Sequence, residues 1–305
     1  MLRSDTRAVA DPGDFLTLAW GWSDGPLFYW EHPASGRALV AIGVAREIQA
    51  DGPDRFTTVA TAARRILATV QPTDGDRRGL RMVGGFAFSE RRLPGSSAFP
   101  AARWVLPRLS WWREGGRTWL TRVWDGDETA VCDELLARGD RTAPLLATTE
   151  LRLHASPVTT HERAEWRARV DGVRRLIAEG TVRKVVLARA RYLEAADSRA
   201  PVDPAVVLRA ARDARPACFS LWVRGWDAAS LIAATPELLV RRQGATVTAS
   251  ALAGTAPRAD ERALDRRLGA ELLTCPKNAH EHAIVVTAVR AALDALADDV
   301  VASAT

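Results

Sequence analysis

Two apolar runs meeting at a pair of glycines constrain this chain more than any other feature. In ARWVLPRLSWWREGGRTWLTRVW, Gly115 and Gly116 stand between segments rich in tryptophan, leucine, valine and threonine. Adjacent glycines accept the positive φ angles of a tight hairpin turn, and these side chains suit a pleated, half-buried surface. The hairpin predicts antiparallel pairing, and it belongs to a series of short apolar runs. FLTLAW, GPLFYWEH, RALVAIGVA and LRMVGGFAFSE read as strand-like, with a helix at FTTVATAARRILATV between the last two.

The second half opens differently. In HERAEWRARVDGVRRLIAEG, Trp166, Val170, Val173 and Leu176 recur at helical spacing, and Gly180 closes the helix. VRKVVLARARYLEA follows as a strand and PAVVLRAARDARP as a helix. CFSLWVRG, SLIAAT and ELLVRR read as successive strands, with Pro236 separating the last two. Helices at ERALDRRLGAELLTC and NAHEHAIVVTAVRAALDALA flank Pro276. The order predicts an α+β chain, mixed and antiparallel-rich, and excludes a simple βαβ repeat. Residues 1–155 are expected to be a scaffold half and 156–305 a catalytic half, together one structural domain.

Composition narrows the function classes. With 305 residues, 47% hydrophobic and 26% charged, the chain has the material for one large core or two modest ones. Charges and a Pro-Gly pair in MLRSDTRAVADPGDF leave no room for the apolar segment of a secretory signal. Every apolar run is interrupted well before the roughly 18 residues of a membrane span. A cytoplasmic, membrane-free and monomeric protein is the expectation. Cys132, Cys218 and Cys275 are widely spaced and form no CxxC pair, which points to reduced thiols. The net charge of +5 raises nucleic-acid binding as an alternative, but arginines scattered among acids, as in DERALDRR, read as a solvated surface.

Of the 42 basic residues, two are lysines, Lys184 and Lys277. Where arginine is tolerated almost everywhere, lysine points to positions that need a compact ammonium or a base able to lose its proton. Lys184 lies in VRKVVLARA, where two-residue alternation places it on a face with Val186 and Ala188. The strand alone is equally a setting for a lysine whose stem packs while its head reaches water. In a closed cleft, desolvation would make it a general base. Glu237 follows Pro236 where one apolar run breaks and the next begins; it is either a turn carboxylate in solvent or a side chain aimed into a cleft. ALAGTAPR is a small-residue turn whose backbone, at Gly254 above all, could approach an anion. Lys277 and Glu281 are spaced for a helical ion pair. His280 and His282 lie on different sides of the helix, so the HEH triplet does not chelate; one carboxylate on a hard cation is the more fitting metal reading.

KVVLAR, ATPELL, ALAGT and PKNAHEHAIVV occur in the order and approximate spacing of the chorismate-binding enzymes, and GGFAF and ARWVLPRL resemble the N-terminal half of that family. The resemblance spans most of the chain and implies the family's fold, large antiparallel-rich sheets flanked by helices. It implies chorismate as substrate and Mg2+ as cofactor. Lys184 would activate a water for attack at C2 of chorismate, and Glu237 would protonate the hydroxyl leaving C4. Ala253, Gly254 and Thr255 would line the substrate, and Glu281 would bind the metal.

Within the family, isochorismate synthase is the implied activity. Anthranilate synthases usually carry glutamine where Lys184 stands, and aminodeoxychorismate synthases a nucleophilic lysine where Ala253 stands. Salicylate synthase and anthranilate synthase component I remain alternatives, as does a non-catalytic remnant; a menaquinone and a siderophore pathway are equally open. Cys275 and Asn278 depart from the family's usual serine and acidic residue. The resemblance further implies a missing C-terminal section with a second metal glutamate, hence weak binding and little turnover.

Overall fold

The computed structural model describes residues 1–22, 25–90, 99–126, 129–138, 153–196, 202–225 and 229–302. Its principal elements run β1 (Leu2–Val9), α1 (Phe15–Trp20), β2 (Leu27–His32), β3 (Arg37–Ile42), β4 (Arg46–Ala50), α2 (Arg55–Thr69), β5 (Gln71–Pro72), β6 (Val83–Phe86), β7 (Ala102–Leu106), β8 (Leu109–Glu114), β9 (Arg117–Asp125) and α3 (Ala130–Arg138). They continue with β10 (Leu153–Ala155), α4 (Thr160–Ala178), β11 (Leu193–Ala195), α5 (Pro204–Ala214), β12 (Phe219–Arg224), β13 (Ser230–Thr235), β14 (Arg241–Gln243), β15 (Thr246–Thr248), α6 (Arg262–Thr274) and α7 (Pro276–Asp294). The fold is α+β.

Two compact units divide these elements. Unit 1 comprises Met1–Arg152 and Asp197–Pro236, and unit 2 comprises Leu153–Ala196 and Glu237–Thr305. The units differ from halves cut at 155/156, because residues 197–236 return to the first unit. The cause is a ladder: β12 pairs antiparallel with β2, from Ser220 against Glu31 to Arg224 against Leu27.

Unit 1 is built on an eight-stranded sheet in the order β13-β12-β2-β3-β8-β9-β1-β5. All neighbours in it are antiparallel except β1 and β5. The β8–β9 hairpin turns at Gly115 and Gly116, with φ of 59° and 73°. Positive φ at both central residues matches the twist of the flanking strands, as the sequence predicts. Pro107 divides β7 from β8, and the two join different sheets; β7 sits between β4 and β6 in a three-stranded sheet.

FLTLAW, read as strand-like, is instead the helix α1. Asp14 caps it, accepting hydrogen bonds from the Leu16 amide and the Thr17 hydroxyl at 3.0 and 3.1 Å. Phe15, Leu16 and Ala19 then fall on one face and are buried. They join Tyr29, Val40, Ile42, Leu109, Leu208 and Trp222 in the main core. A second cluster places Val59 of α2 against Ile48 and Ala102 of the small sheet.

Among the described residues, unit 2 has three helices, a short β14–β15 hairpin, and an antiparallel β10–β11 pair whose strands are separated by α4. Thr159 and Glu162 close a capping box at the start of α4. Here two strand expectations are corrected. VRKVVLARARYLEA yields a strand at Leu193–Ala195, and ELLVRR one that begins at Arg241. Extended backbone becomes a strand when its N–H and C=O groups find a ladder. Among the described residues, no strand pairs with 183–192, so Lys184 lies on an irregular segment.

Candidate functional site

Every residue singled out for chemistry lies in unit 2. The best-defined support is the N-terminal half of α7. Pro276 occupies its first turn, where a missing N–H costs nothing. Lys277 and Glu281 pair across one helical turn at 3.8 Å, the lysine 81% and the glutamate 35% exposed. His280 is exposed and His282 half-buried, so the two histidines do face different surroundings.

The ALAGT turn sits against this helix. His282 Nε2 lies 3.1 Å from the carbonyl oxygen of Ala251. Gly254 has φ of +88°, and a Cβ built on it would come 3.3 Å from the Asn278 side chain. The backbone angle favours glycine at 254, and a larger residue would also press on the Asn278 side chain. Ala253 is half-buried and Thr255 exposed.

The segment that bears Glu237 is attached to the same turn. The neighbouring Leu238 accepts a hydrogen bond from the Ser250 amide at 3.4 Å, next to Ala251. This contact lies at the open end of the β14–β15 hairpin, where Glu237 is exposed. One series of contacts thus links the segment of Glu237, the turn at 253–255 and the turn of α7 that bears Glu281.

Lys184 stands apart from that series. It is half-buried on its irregular segment. None of the contacts in that series involves Lys184.

Among the described residues, no group of three or more histidine, cysteine, aspartate or glutamate side chains could hold an ion. Glu281 offers one half-buried carboxylate. Magnesium is commonly bound through one or two carboxylates, with water and substrate oxygens completing its shell, so Glu281 fits one ligand position and no more.

Two cavities lined by described residues lie away from these side chains. In unit 1 an apolar cavity of about 410 Å³ is lined by Phe28, Gly85, Val105, Leu221 and Leu231, among others. In unit 2 one of about 530 Å³ is lined by Glu162, Trp166, Arg169, Arg189 and Arg191, close in sequence to Lys184 but not including it. The described cysteines are free thiols. Among the described residues, no helix is long and apolar enough to cross a membrane.

The contacts of Asn278 and His282 with the turn are what sequence reasoning missed. His282 stood out in the HEH triplet and Asn278 as a departure from the family, but neither carries a local signal for a partner some thirty residues away.

Comparison with known proteins agrees with this architecture. Residues 4–305 match the family model described as "Chorismate binding enzyme". The salicylate biosynthesis isochorismate synthase of Pseudomonas aeruginosa is 31% identical, over 93% of this chain and 60% of its own. Isochorismate synthase DhbC of Bacillus subtilis is 36% identical, over 84% of this chain and 57% of its own. The structure of MenF, the menaquinone-specific isochorismate synthase from Escherichia coli, superposes with a TM-score of 0.76 at 24% identity, covering 97% of this chain and 64% of that one. This chain therefore spans about 60% of the length of the relatives it matches. With its matching family model, its relatives and its fold in agreement, the chain belongs to the chorismate binding enzymes.

Proposed function

We propose that this chain carries the acid–base residues of an isochorismate synthase. Lys184 takes a proton from water as its oxygen bonds to C2 of chorismate. The ring electrons shift, the C4–O bond breaks, and Glu237 delivers a proton to the departing hydroxyl. One water enters and one leaves, so the reaction is an isomerisation. Ala253, Gly254 and Thr255 line the ring, the glycine letting backbone approach closely. Glu281 would be one ligand to Mg2+, an ion that when bound offsets the negative charge of a substrate carboxylate.

The observation that carries the reading is the series of contacts joining the segment that bears Glu237, the 251–255 turn and the turn of α7 that bears Glu281, in a chain whose relatives are named isochorismate synthases. The test is to incubate the purified chain with chorismate and Mg2+ and to follow isochorismate by chromatography. Slow product formation is expected, falling by about 100-fold or more in Lys184→Ala and in Glu237→Gln. Equal release of pyruvate, read through lactate dehydrogenase, would reassign the chain to salicylate synthase. Absence of both chorismate binding and product would overturn the reading.

A further inference from the structure

The segment that bears Ala253, Gly254 and Thr255 has no regular structure of its own. Residues 249–258 form neither helix nor strand, so something outside the segment must hold it. Two side chains of α7 touch it. His282 Nε2 is 3.1 Å from the Ala251 carbonyl, and since a carbonyl can only accept, the histidine donates through that nitrogen. Asn278 packs at the place where Gly254 lacks a Cβ, 3.3 Å from it.

Asn278 and His282 are four residues apart and therefore share one face of the helix. Glu281 lies immediately before His282 and three residues after Asn278. The same two turns of α7 thus carry the carboxylate and the two side chains that fix the loop. We propose that His282, braced by Asn278, is a positioning residue that sets where the 251–255 turn stands relative to Glu281. What that turn lines rests on the function proposed above; the placement itself does not.

The consequence is local. Loss of the His282 hydrogen bond should free the turn while leaving α7 and unit 1 folded. Millisecond-resolved hydrogen exchange on the full chain, read by mass spectrometry, tests this. In His282→Ala, peptides covering 249–258 should exchange about fivefold faster, as expected for one lost hydrogen bond. Peptides of α4, of 285–294 and of unit 1 should be unchanged, and the urea midpoint should hold. His282→Gln, whose amide can still donate to a carbonyl, should recover much of the protection.

Gly254→Ala should loosen the same peptides, because it meets both Asn278 and an unfavourable backbone angle. Unchanged exchange at 249–258 in both His282→Ala and Gly254→Ala would overturn the proposal, as would loosening spread equally over α4 and α7. Chorismate titrated calorimetrically into the same variants with Mg2+ separates the two readings. About tenfold weaker binding in His282→Ala, restored in His282→Gln, supports positioning for this substrate. If the unaltered chain binds no chorismate, the proposed function fails and the exchange data still decide the role of His282.

Discussion

Unit 1 and unit 2 are built on different terms. Every buried side chain among the described residues belongs to unit 1, from Leu2 to Trp222. Helices α4, α6 and α7 of unit 2 contain no buried residue. Unit 2 is held by a capping box, exposed ion pairs such as Arg267–Glu271, and hydrogen bonds from helix to turn. Pairs of that kind contribute little each. Yet both lysines and every candidate chemical residue lie there. The buried core and the candidate chemical residues therefore lie in different parts of the chain, and regions with few buried apolar contacts open most readily.

The sharpest way to break that contrast is through the polar centre of unit 1. Tyr29 is fully buried, and its hydroxyl donates to Glu31. Arg212, 15% exposed, reaches Glu31 at 3.1 Å and Asp14 at 2.7 Å. Burial, with the charge of Glu31, holds the Tyr29 pKa above its ordinary value. Arg212→Met would leave Glu31 buried with less countercharge. A loss of about 3–5 kcal/mol is expected for half of such a network. Urea unfolding followed by tryptophan fluorescence reads it, since all tryptophans but Trp166 belong to unit 1. A loss below about 1 kcal/mol would show that the network is not holding the sheet to α5.

The same contrast is sharpened by one truncation made twice. Leu208 of α5 is 1% exposed in the main core, and Leu208→Ala should cost about 2–5 kcal/mol. Leu272 of α6 is half-buried, and Leu272→Ala should cost about 1 kcal/mol or less. Urea midpoints for the first, and helical circular dichroism for the second, make the comparison. Equal costs would mean that unit 2 is packed as firmly as unit 1.

This division also explains what could be read from sequence. The hairpin at 109–125, α2, α5 and the helices around Pro276 follow from short-range signals: paired glycines, caps and helical spacing. β1 escaped notice because its inward face carries Ser4 and Thr6, both buried, the threonine bonded to Thr121 at 3.1 Å. α1 was mistaken for a strand because a six-residue run with five apolar members has no decisive period; the Asp14 cap settles it. The segment around Lys184 has the alternation of a strand, but a ladder needs a partner that local pattern does not supply. In the candidate site, the order of KVVLAR, ATPELL, ALAGT and PKNAHEHAIVV was legible. The grip of Asn278 and His282 on the turn was not, because it is a contact between distant segments.

The smallest expected effect compares two carboxylates under acid. Burial alone would raise the pKa of Asp14, but the hydrogen bonds and charge of Arg212, with the Leu16 amide and Thr17 hydroxyl, outweigh it and bring the folded value below 3.8. A carboxyl with a depressed folded pKa stabilises above its unfolded pKa, and that contribution is lost as pH falls through the folded value. Asp265 of unit 2 is also lowered, by the Arg258 hydrogen bond and then the Ala259 amide, but its partner Arg258 is 88% exposed, whereas Arg212 is 15% exposed. Urea midpoints measured by tryptophan fluorescence from neutral pH down to about pH 3 should fall in the unaltered chain. Asp14→Asn should flatten part of that fall, and Asp265→Asn should leave it unchanged. If Asp265→Asn flattened the curve as much as Asp14→Asn, acid sensitivity would belong to exposed pairs in general, and the polar centre of unit 1 would lose its distinct part in stability.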